Sequence, residues 1–172
     1  LSGYRNEVKK LASNQFISNT YTRTEVGHPI SSFYGYVIDG IFQTQGEVNS
    51  HVEQSDKAIG RWKYRDVNND GKIDSQDRAY IGNPHPDFEY SLSSRFYYKN
   101  FDLSLYIQGS QGNDICFASK GGRDGLDFWG DYFNKSTRIL NTWTPENRNA
   151  ELPEINILNP NDEAGKVSSY LI

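Results

Sequence analysis

The fold of this chain is decided by the segment Phe88-Glu89-Tyr90-Ser91-Leu92-Ser93-Ser94-Arg95-Phe96-Tyr97-Tyr98-Lys99-Asn100-Phe101-Asp102-Leu103-Ser104-Leu105-Tyr106-Ile107-Gln108. Large apolar residues alternate with mostly polar ones before Lys99-Asn100, and the alternation resumes after it. This period of two is that of a β-strand with two different faces. A two-residue turn at Lys99-Asn100 pairs Tyr98 with Phe101 and places the alternating apolar residues on one face. The sequence therefore predicts an antiparallel hairpin with strands 88–98 and 101–109.

The apolar face of this hairpin has two interpretations. In a soluble protein it packs against a core, which is the commoner arrangement. In a membrane barrel it contacts lipid, because tilted strands of about 9–11 residues span a bilayer. Aromatic residues near the turn, Phe96, Tyr98 and Phe101, are typical of the interfacial girdle of a barrel, and a long loop beyond Gln111 is also typical. The pattern alone leaves both interpretations open.

The composition indicates a β-rich protein. Of the 172 residues, 35% are hydrophobic and 14% are aromatic, with 12 Tyr and 9 Phe. Tyr and Phe pack well on a pleated surface, and a disordered chain is poorer in aromatic residues. The net charge of −4 with no stripe of Lys or Arg argues against nucleic-acid binding. Because the chain begins at Leu1 and contains no Met, we expect a section of a longer protein.

Residues 66–77 match the twelve-residue calcium loop position by position. Oxygen-bearing side chains stand at the first, third and fifth positions, and Gly71 takes the sixth, where the chain must turn sharply. The last position holds Asp instead of the usual bidentate Glu, which predicts weaker binding. The predicted Ca²⁺ ligands are Asp66, Asn68, Asp70, the backbone carbonyl of Lys72, Asp74 and Asp77.

The surroundings of this loop define its predicted role. Trp62 and Tyr64 before the loop, and residues 80–84 after it, are typical of extended chain. A calcium sensor opens a pair of flanking helices, and no such pair is predicted here. We therefore expect a structural calcium site, with a metal-free Asx-rich surface turn as the alternative.

Nothing in the sequence supports catalysis with comparable strength. The three histidines are scattered along the chain. Cys116 is the only cysteine, and a lone cysteine usually serves as a small buried hydrophobic residue. Asp124 and Asp127 lie in a glycine-rich stretch, where acidic residues are usually solvated. We therefore predict that the protein is not an enzyme.

Residues 112–172 are weakly periodic, and such a long irregular segment indicates a loop that folds over a larger body. A short helix is predicted within 131–143. Trp129 and Trp143 are candidates for stacking on a sugar ligand. The alternative is that they anchor a long loop.

Several motifs, in their order along the chain, resemble the SusC/RagA-type TonB-dependent outer-membrane transporters. They are Gly27-His28-Pro29-Ile30-Ser31-Ser32-Phe33-Tyr34-Gly35-Tyr36, Asp39-Gly40-Ile41-Phe42-Gln43, the loop from Asp66 to Asp74, Asp77-Arg78, Ile81-Gly82-Asn83-Pro84, Tyr98-Lys99-Asn100-Phe101-Asp102-Leu103-Ser104, Gln108-Gly109, Gln111-Gly112-Asn113-Asp114-Ile115 and Trp143-Thr144-Pro145-Glu146-Asn147. The resemblance covers residues 27–172. It departs from the family at Cys116, where an aromatic residue or Asn is expected.

The resemblance implies a mainly β fold, with antiparallel hairpins from a section of a transmembrane β-barrel that has 22 strands in the family. Residues 1–172 are then a partial section of that barrel. It includes the calcium loop at 66–77 and a long outer loop at 112–170, and the hairpin turns on the periplasmic side at Lys99-Asn100.

The resemblance also implies a function. The whole protein would import oligosaccharides or peptides across the bacterial outer membrane, with TonB supplying energy and a SusD-like lipoprotein as partner. The barrel would contact outer-membrane lipid. The alternative from another class is a secreted, calcium-stabilised carbohydrate-binding or adhesion module, which would be soluble with its apolar hairpin face covered.

Overall fold

The computed structural model describes residues 1–3, 5–12, 15–116 and 137–155. The described residues are mainly β, with antiparallel hairpins and one short α-helix, so the predicted fold class is confirmed. The elements are β1 (Ser2–Gly3), β2 (Ile17–Ser18), β3 (Thr22–Thr24), β4 (Ser32–Tyr36), β5 (Ile38–Ile41), α1 (Gln45–Ser50), β6 (Trp62–Tyr64), a 3-10 helix (Ser75–Asp77), β7 (Arg78–Gly82), β8 (Phe88–Tyr98), β9 (Phe101–Gln111) and a second 3-10 helix (Thr137–Asn141).

The chain forms two compact units. The first consists of Leu1–Ser32 and Gly82–Asp114, and the second of Phe33–Ile81 and Ile115–Ile172. The first unit contains the long hairpin, and the second contains the calcium-loop sequence.

The hairpin of β8 and β9 has the predicted register. Tyr98 pairs with Phe101 and Leu92 with Ile107, and the pairing continues to Phe88 opposite Gln111. Strand β9 is therefore two residues longer than predicted, because the pairing continues beyond the apolar alternation. Lys99 adopts a left-handed conformation with φ of 52°, as tight hairpin turns require.

The apolar face of the hairpin is exposed in the described part of the chain. Leu92 is 55% exposed, Ile107 45% and Phe101 77%. Of the described residues, only β1 pairs with the hairpin, at Ser2 and Gly3 along the edge of β8. The described residues thus do not supply the core that the soluble interpretation requires for this face.

The open end of the hairpin is closed by contacts within the first unit. The backbone N–H of Asn83 donates to Oδ2 of Asp114 at 2.7 Å, and the N–H of Asp114 donates to the carbonyl of Asn83 at 2.7 Å. A Cβ atom on Gly82 would lie 2.7 Å from the Asp114 carboxylate. This close approach gives a physical reason for glycine at position 82.

The core of the second unit lies around the β5–β6 hairpin. Ile38 pairs with Tyr64 and Ile41 with Trp62. Ile41, Trp62, Tyr64 and Trp143 form the buried cluster, with Tyr64 only 1% exposed. In the same unit β4 is hydrogen-bonded to β7. Three aromatic side chains, those of Trp62, Tyr64 and Trp143, thus form most of this cluster.

The polar segment 43–60 contains the short helix α1. Thr44 is the N-cap residue, and its Oγ1 accepts a hydrogen bond from the N–H of Glu47 at 3.2 Å. The helix is short because the C-cap residue, His51, has extended backbone angles. The ring of His51 packs edge-on against Phe42, with ring centroids 5.1 Å apart.

The environment of His51 predicts acid sensitivity of the second unit. Burial lowers the pKa of His51 from its usual 6.5, the positive charges of Lys57 and Lys63 lower it further, and a hydrogen bond with Gln54 opposes them. The unfolded chain therefore binds this proton at a higher pH than the folded chain. Stability is lost as the pH falls from about 6.5 towards the lowered folded value.

We expect His51→Gln to reduce this acid destabilisation, because it removes the titrating group and keeps a polar side chain. The check is the thermal unfolding midpoint of both proteins between pH 8 and pH 5, followed by tryptophan fluorescence. An equal decline of the midpoint in both proteins would contradict this role for His51.

Candidate calcium loop

The calcium-loop sequence lies between β6 and β7, so strands flank it on both sides. The extended flanks predicted from the sequence are therefore present. The second half of the loop contains the 3-10 helix Ser75–Asp77. The loop is thus flanked by strands and not by a pair of helices.

Asp66 organises the first half of the loop. Its Oδ1 accepts hydrogen bonds from the N–H groups of Asn69 at 2.6 Å and Asp70 at 3.3 Å, and its Oδ2 accepts from the N–H of Gly71 at 2.9 Å. The chain curls around this carboxylate because Asn69 and Gly71 have positive φ of 60° and 87°. Gly71 thus has the conformation that the motif requires at its sixth position.

The side chains of Asn68 and Asp70 lie beside each other on the exposed side of the loop. The Asn68 amide nitrogen donates to Oδ2 of Asp70 at 3.1 Å, and its Oδ1 accepts from the N–H of Asp70 at 2.9 Å. Oδ1 of Asp70 accepts from the N–H of Lys72 at 3.1 Å. The loop therefore brings together carboxylate and amide oxygens, which are hard donors that suit Ca²⁺.

Asp77 is fully buried, at 0% exposure. Its Oδ1 accepts from the N–H of Val67 at 2.9 Å and of Asn68 at 3.5 Å, and its Oδ2 accepts from the N–H of Asp74 at 2.8 Å. Together with Asp74 it forms a capping box on the 3-10 helix. The carboxylate thus connects the two ends of the loop, a role that the motif does not reveal. The three-residue spacing of Asp74 and Asp77 is the signal that points to it.

Asp74 has its two carboxylate oxygens in different contacts. Oδ1 accepts from the N–H of Gln76 at 2.8 Å, and Oδ2 lies 2.9 Å from Nζ of Lys72. The hydrogen bond from the Gln76 backbone is the main cause that lowers the pKa of Asp74, and the contact with Lys72 is the second. Asp74 also raises the pKa of Lys72 through a hydrogen bond and its charge. Both groups therefore keep their charges.

The loop is attached to the rest of the second unit through Glu53. The N–H of Ile73 donates to the carbonyl of Glu53 at 2.7 Å, and the N–H of Glu53 donates to the carbonyl of Gly71 at 3.0 Å. The adjacent Gln54 side chain donates to the carbonyl of Trp62 at 2.8 Å and accepts from the N–H of Tyr64 at 3.1 Å. Residues 53 and 54 thus connect the loop to β6.

A cation in this loop would need more than one type of oxygen ligand. Within the described ranges, no three Asp, Glu, His or Cys groups are close enough together to hold a metal ion. A bound Ca²⁺ would therefore need the Asn68 amide oxygen and the Lys72 carbonyl in addition to carboxylates. These are the donor types of the twelve-residue loop, so the chemistry of the residues fits the ion.

Trp143, a candidate for stacking on a ligand, is a core residue. It is 6% exposed, its indole N–H donates to Oε1 of Gln43 at 2.9 Å, and its backbone N–H donates to the carbonyl of Leu152 at 2.8 Å. The ligand-stacking prediction is wrong for this residue, because its ring is buried against β5 and β6. The alternative, that it anchors a loop, describes its position.

Other predictions for residues 112–172 concern segments outside the described ranges. Trp129, Asp124 and Asp127 lie there. The helix predicted within 131–143 is observed as a 3-10 helix over Thr137–Asn141, and residues 131–136 are not among the described residues. Cys116 is half-buried, and burial raises the pKa of its thiol. Among the residues described, no helix is both long and apolar enough to cross a membrane.

The absence of a side chain at Gly60 leaves room for the ring of Trp143. A larger residue at position 60 is therefore expected to destabilise the core of the second unit. Gly60 has φ of +82°, and an added Cβ would lie 2.7 Å from the Trp143 ring. We expect Gly60→Ala to destabilise this region by about 2 kcal/mol, from left-handed strain and overpacking together. The measurement is hydrogen exchange at the amides of Phe42 and Glu154, which bond to the Gly60–Arg61 segment. Exchange there should accelerate about thirtyfold.

Gly46→Ala is the matched control for this prediction. Gly46 lies within α1, and the nearest atom to an added Cβ is 3.7 Å away. Ala is favoured over Gly in a helix by roughly 0.5–1 kcal/mol, so this variant should leave exchange at Phe42 and Glu154 unchanged. Equal exchange in the two variants would show that the Gly60–Trp143 contact does not support the core.

Comparison with known proteins identifies relatives. No protein-family model matches the chain. TonB-dependent receptor P26 of Formosa agariphila is 30% identical over 148 residues, and TonB-dependent receptor P3 of the same organism is 30% identical over 143 residues. Each alignment covers 83% of this chain and 14% of the relative. The chain thus spans only about one seventh of the length of these two receptors.

Proposed function

Because this chain is a section of a TonB-dependent receptor, we propose that the whole protein imports a nutrient across the bacterial outer membrane. TonB-dependent receptors are outer-membrane proteins, and the mainly β structure agrees with a barrel section. The observation that carries the proposal is the similarity to two such receptors over most of the chain. The activity belongs to the whole receptor.

The long hairpin contributes two neighbouring strands to the wall of the barrel. Strands β8 and β9 have 11 residues each, which suits a tilted strand that crosses a bilayer. The face of Leu92 and Ile107 contacts lipid, and the face of Ser91 and Gln108 points to the lumen, as alternation in a barrel requires. The exposure of the apolar face supports this arrangement. No observation favours the secreted soluble module that the sequence left open.

The two ends of the hairpin have different surroundings in this proposal. The turn at Lys99-Asn100 is short and lies on the periplasmic side, where barrel turns are short. The calcium loop at 66–77 belongs to the longer outer loops, and so does the loop predicted at 112–170, much of which lies outside the described residues. The motif order of the chain supports this topology.

The finer assignment is to the SusC/RagA type. The motifs from Gly27 to Asn147 resemble that type in their order. The transported ligand is then an oligosaccharide or a peptide, a SusD-like lipoprotein covers the outer opening, and TonB supplies the energy for transport.

The loop at 66–77 binds Ca²⁺ as a structural ion. Its ligands are the side chains of Asp66, Asn68 and Asp70 and the carbonyl of Lys72, with Asp74 and Asp77 completing the set. The ion would neutralise part of the negative charge of the loop and hold the connection between β6 and β7. The adjacent side chains of Asn68 and Asp70, and the turn of the chain around the Asp66 carboxylate, support this role.

The experiment that tests the import function compares bacteria with and without the receptor gene. Each strain grows on oligosaccharides or on peptides as the sole carbon source. We expect a growth defect on one of these two ligand classes, and the same defect when TonB is removed. Normal growth of the gene-deleted strain on both classes would contradict the proposal.

A further inference from the structure

The ammonium group of Lys72 contacts a carboxylate of the calcium loop. Its Nζ is 2.9 Å from Oδ2 of Asp74, and the two side chains are 51% and 32% exposed. The hydrogen bond with Asp74 and its charge, followed by the charge of Asp70, raise the pKa of this ammonium group. The backbone N–H of the same residue donates to Oδ1 of Asp70 at 3.1 Å, which fixes the start of the side chain beside the predicted ligands.

We propose that Lys72 is a competing cation within the chain, whose ammonium group pairs with Asp74 and thereby sets the calcium affinity of the loop. This inference rests on the calcium site proposed above. Lys72 would then have two opposed roles, because its backbone carbonyl is a ligand and its side chain opposes the ion. The side chain acts on the ion through Asp74 and does not contact the metal.

The physical basis is competition for one carboxylate. Ca²⁺ affinity in such loops depends on the number of negatively charged ligands and on the rigidity of the site. While the ammonium group is paired with Oδ2 of Asp74, its positive charge offsets the negative charge with which that carboxylate would attract an ion. Repulsion between a divalent ion and an ammonium group a few ångströms away is sufficient to change the affinity severalfold, even in an aqueous environment. Because both groups are exposed, salt weakens the effect.

The test measures calcium binding by isothermal titration calorimetry in the intact receptor in detergent micelles. We expect Lys72→Gln to bind Ca²⁺ about three- to tenfold more tightly than the wild type at low ionic strength, with a smaller difference at 0.5 M salt. Lys72→Arg keeps the positive charge and should bind as the wild type does. Lys10→Gln, an equal change of net charge at an exposed residue remote in sequence, should also leave the affinity unchanged.

A double variant tests whether Lys72 acts through Asp74. In the background of Asp74→Asn there is no carboxylate to occupy, so adding Lys72→Gln should change the affinity by less than about twofold. A full effect of Lys72→Gln in that background would overturn the proposed pairing. Equal affinity of Lys72→Gln and the wild type would overturn the competition while the calcium site stands.

The failure of the calcium site itself gives a different result. If the wild type and Lys72→Gln both produce no binding heat and no change of thermal stability with Ca²⁺, the site is overturned and this inference with it. Tighter binding of Lys72→Gln, with wild-type affinity in Lys72→Arg and Lys10→Gln, supports both.

Discussion

Ile107→Arg should reduce the stability of the receptor in a phospholipid bilayer by about 2–4 kcal/mol, the cost of Arg near the midplane of a barrel's lipid face. Ile107 lies near the middle of β9 and pairs with Leu92. Both side chains are on the apolar face, so the guanidinium group would enter the hydrocarbon region. The free energy of unfolding is measured by denaturant titration of the intact receptor in vesicles.

Gln108→Arg is the control for this prediction. Gln108 is adjacent to Ile107 and points to the opposite face of the hairpin, where Tyr106 donates a hydrogen bond to it at 2.8 Å. Arg at this position faces the aqueous lumen, and we expect a loss of stability of less than about 1 kcal/mol. A similar loss of stability in Ile107→Arg and Gln108→Arg would contradict the assignment of one hairpin face to lipid and the other to the lumen.

Calcium at about one hundred times its dissociation constant should stabilise the folded receptor by about 2.7 kcal/mol, because the proposed site exists in the folded loop and not in the unfolded chain. Removal of Ca²⁺ with a chelator should reverse this gain. Asp70→Asn should weaken binding by more than about tenfold, because it replaces an anionic ligand with a neutral amide. Calorimetry and the thermal unfolding midpoint, each with and without Ca²⁺, are the measurements.

Asp56→Asn is the matched control for the calcium prediction. Asp56 is exposed, lies outside the loop and contacts Ser55 at 3.2 Å. Asn tolerates its positive φ of 49°, so this variant should bind calcium with wild-type affinity. Wild-type affinity in Asp70→Asn as well would exclude Asp70 as a ligand.

The hairpin was predictable from sequence because its signals are local. The period of two and the Lys99-Asn100 turn together fix the register, so the pairing of Tyr98 with Phe101 determines the other pairs. The end of β9 at Gln111 was not predicted, because pairing there continues through small and polar residues that carry no apolar alternation.

The core of the second unit was not predictable in the same way. Trp143 bonds to Gln43, 100 positions away in the sequence, and Glu154 bonds to Gly60. Contacts between such distant positions leave no periodic signal in a single sequence. The burial of Trp143 therefore became evident only from the structure.

The calcium loop was partly predictable. The motif gives the types of donor and the turn at Gly71, because these depend on spacing along the chain. It does not give the use of Asp77 as an acceptor for the backbone at both ends of the loop, nor the pairing of Lys72 with Asp74. Those contacts depend on side-chain directions, which the spacing of the motif does not specify.

The claim that β8 and β9 form part of a membrane barrel is tested most directly by the exposure of successive side chains to lipid. Single cysteines at positions 103–108, in a Cys116→Ser background, are labelled with a fluorophore in the receptor in vesicles. The account predicts that labels at Leu103, Leu105 and Ile107 are quenched by a lipid-attached spin label, and those at Ser104, Tyr106 and Gln108 by aqueous iodide. Iodide quenching of equal strength at all six positions would contradict it.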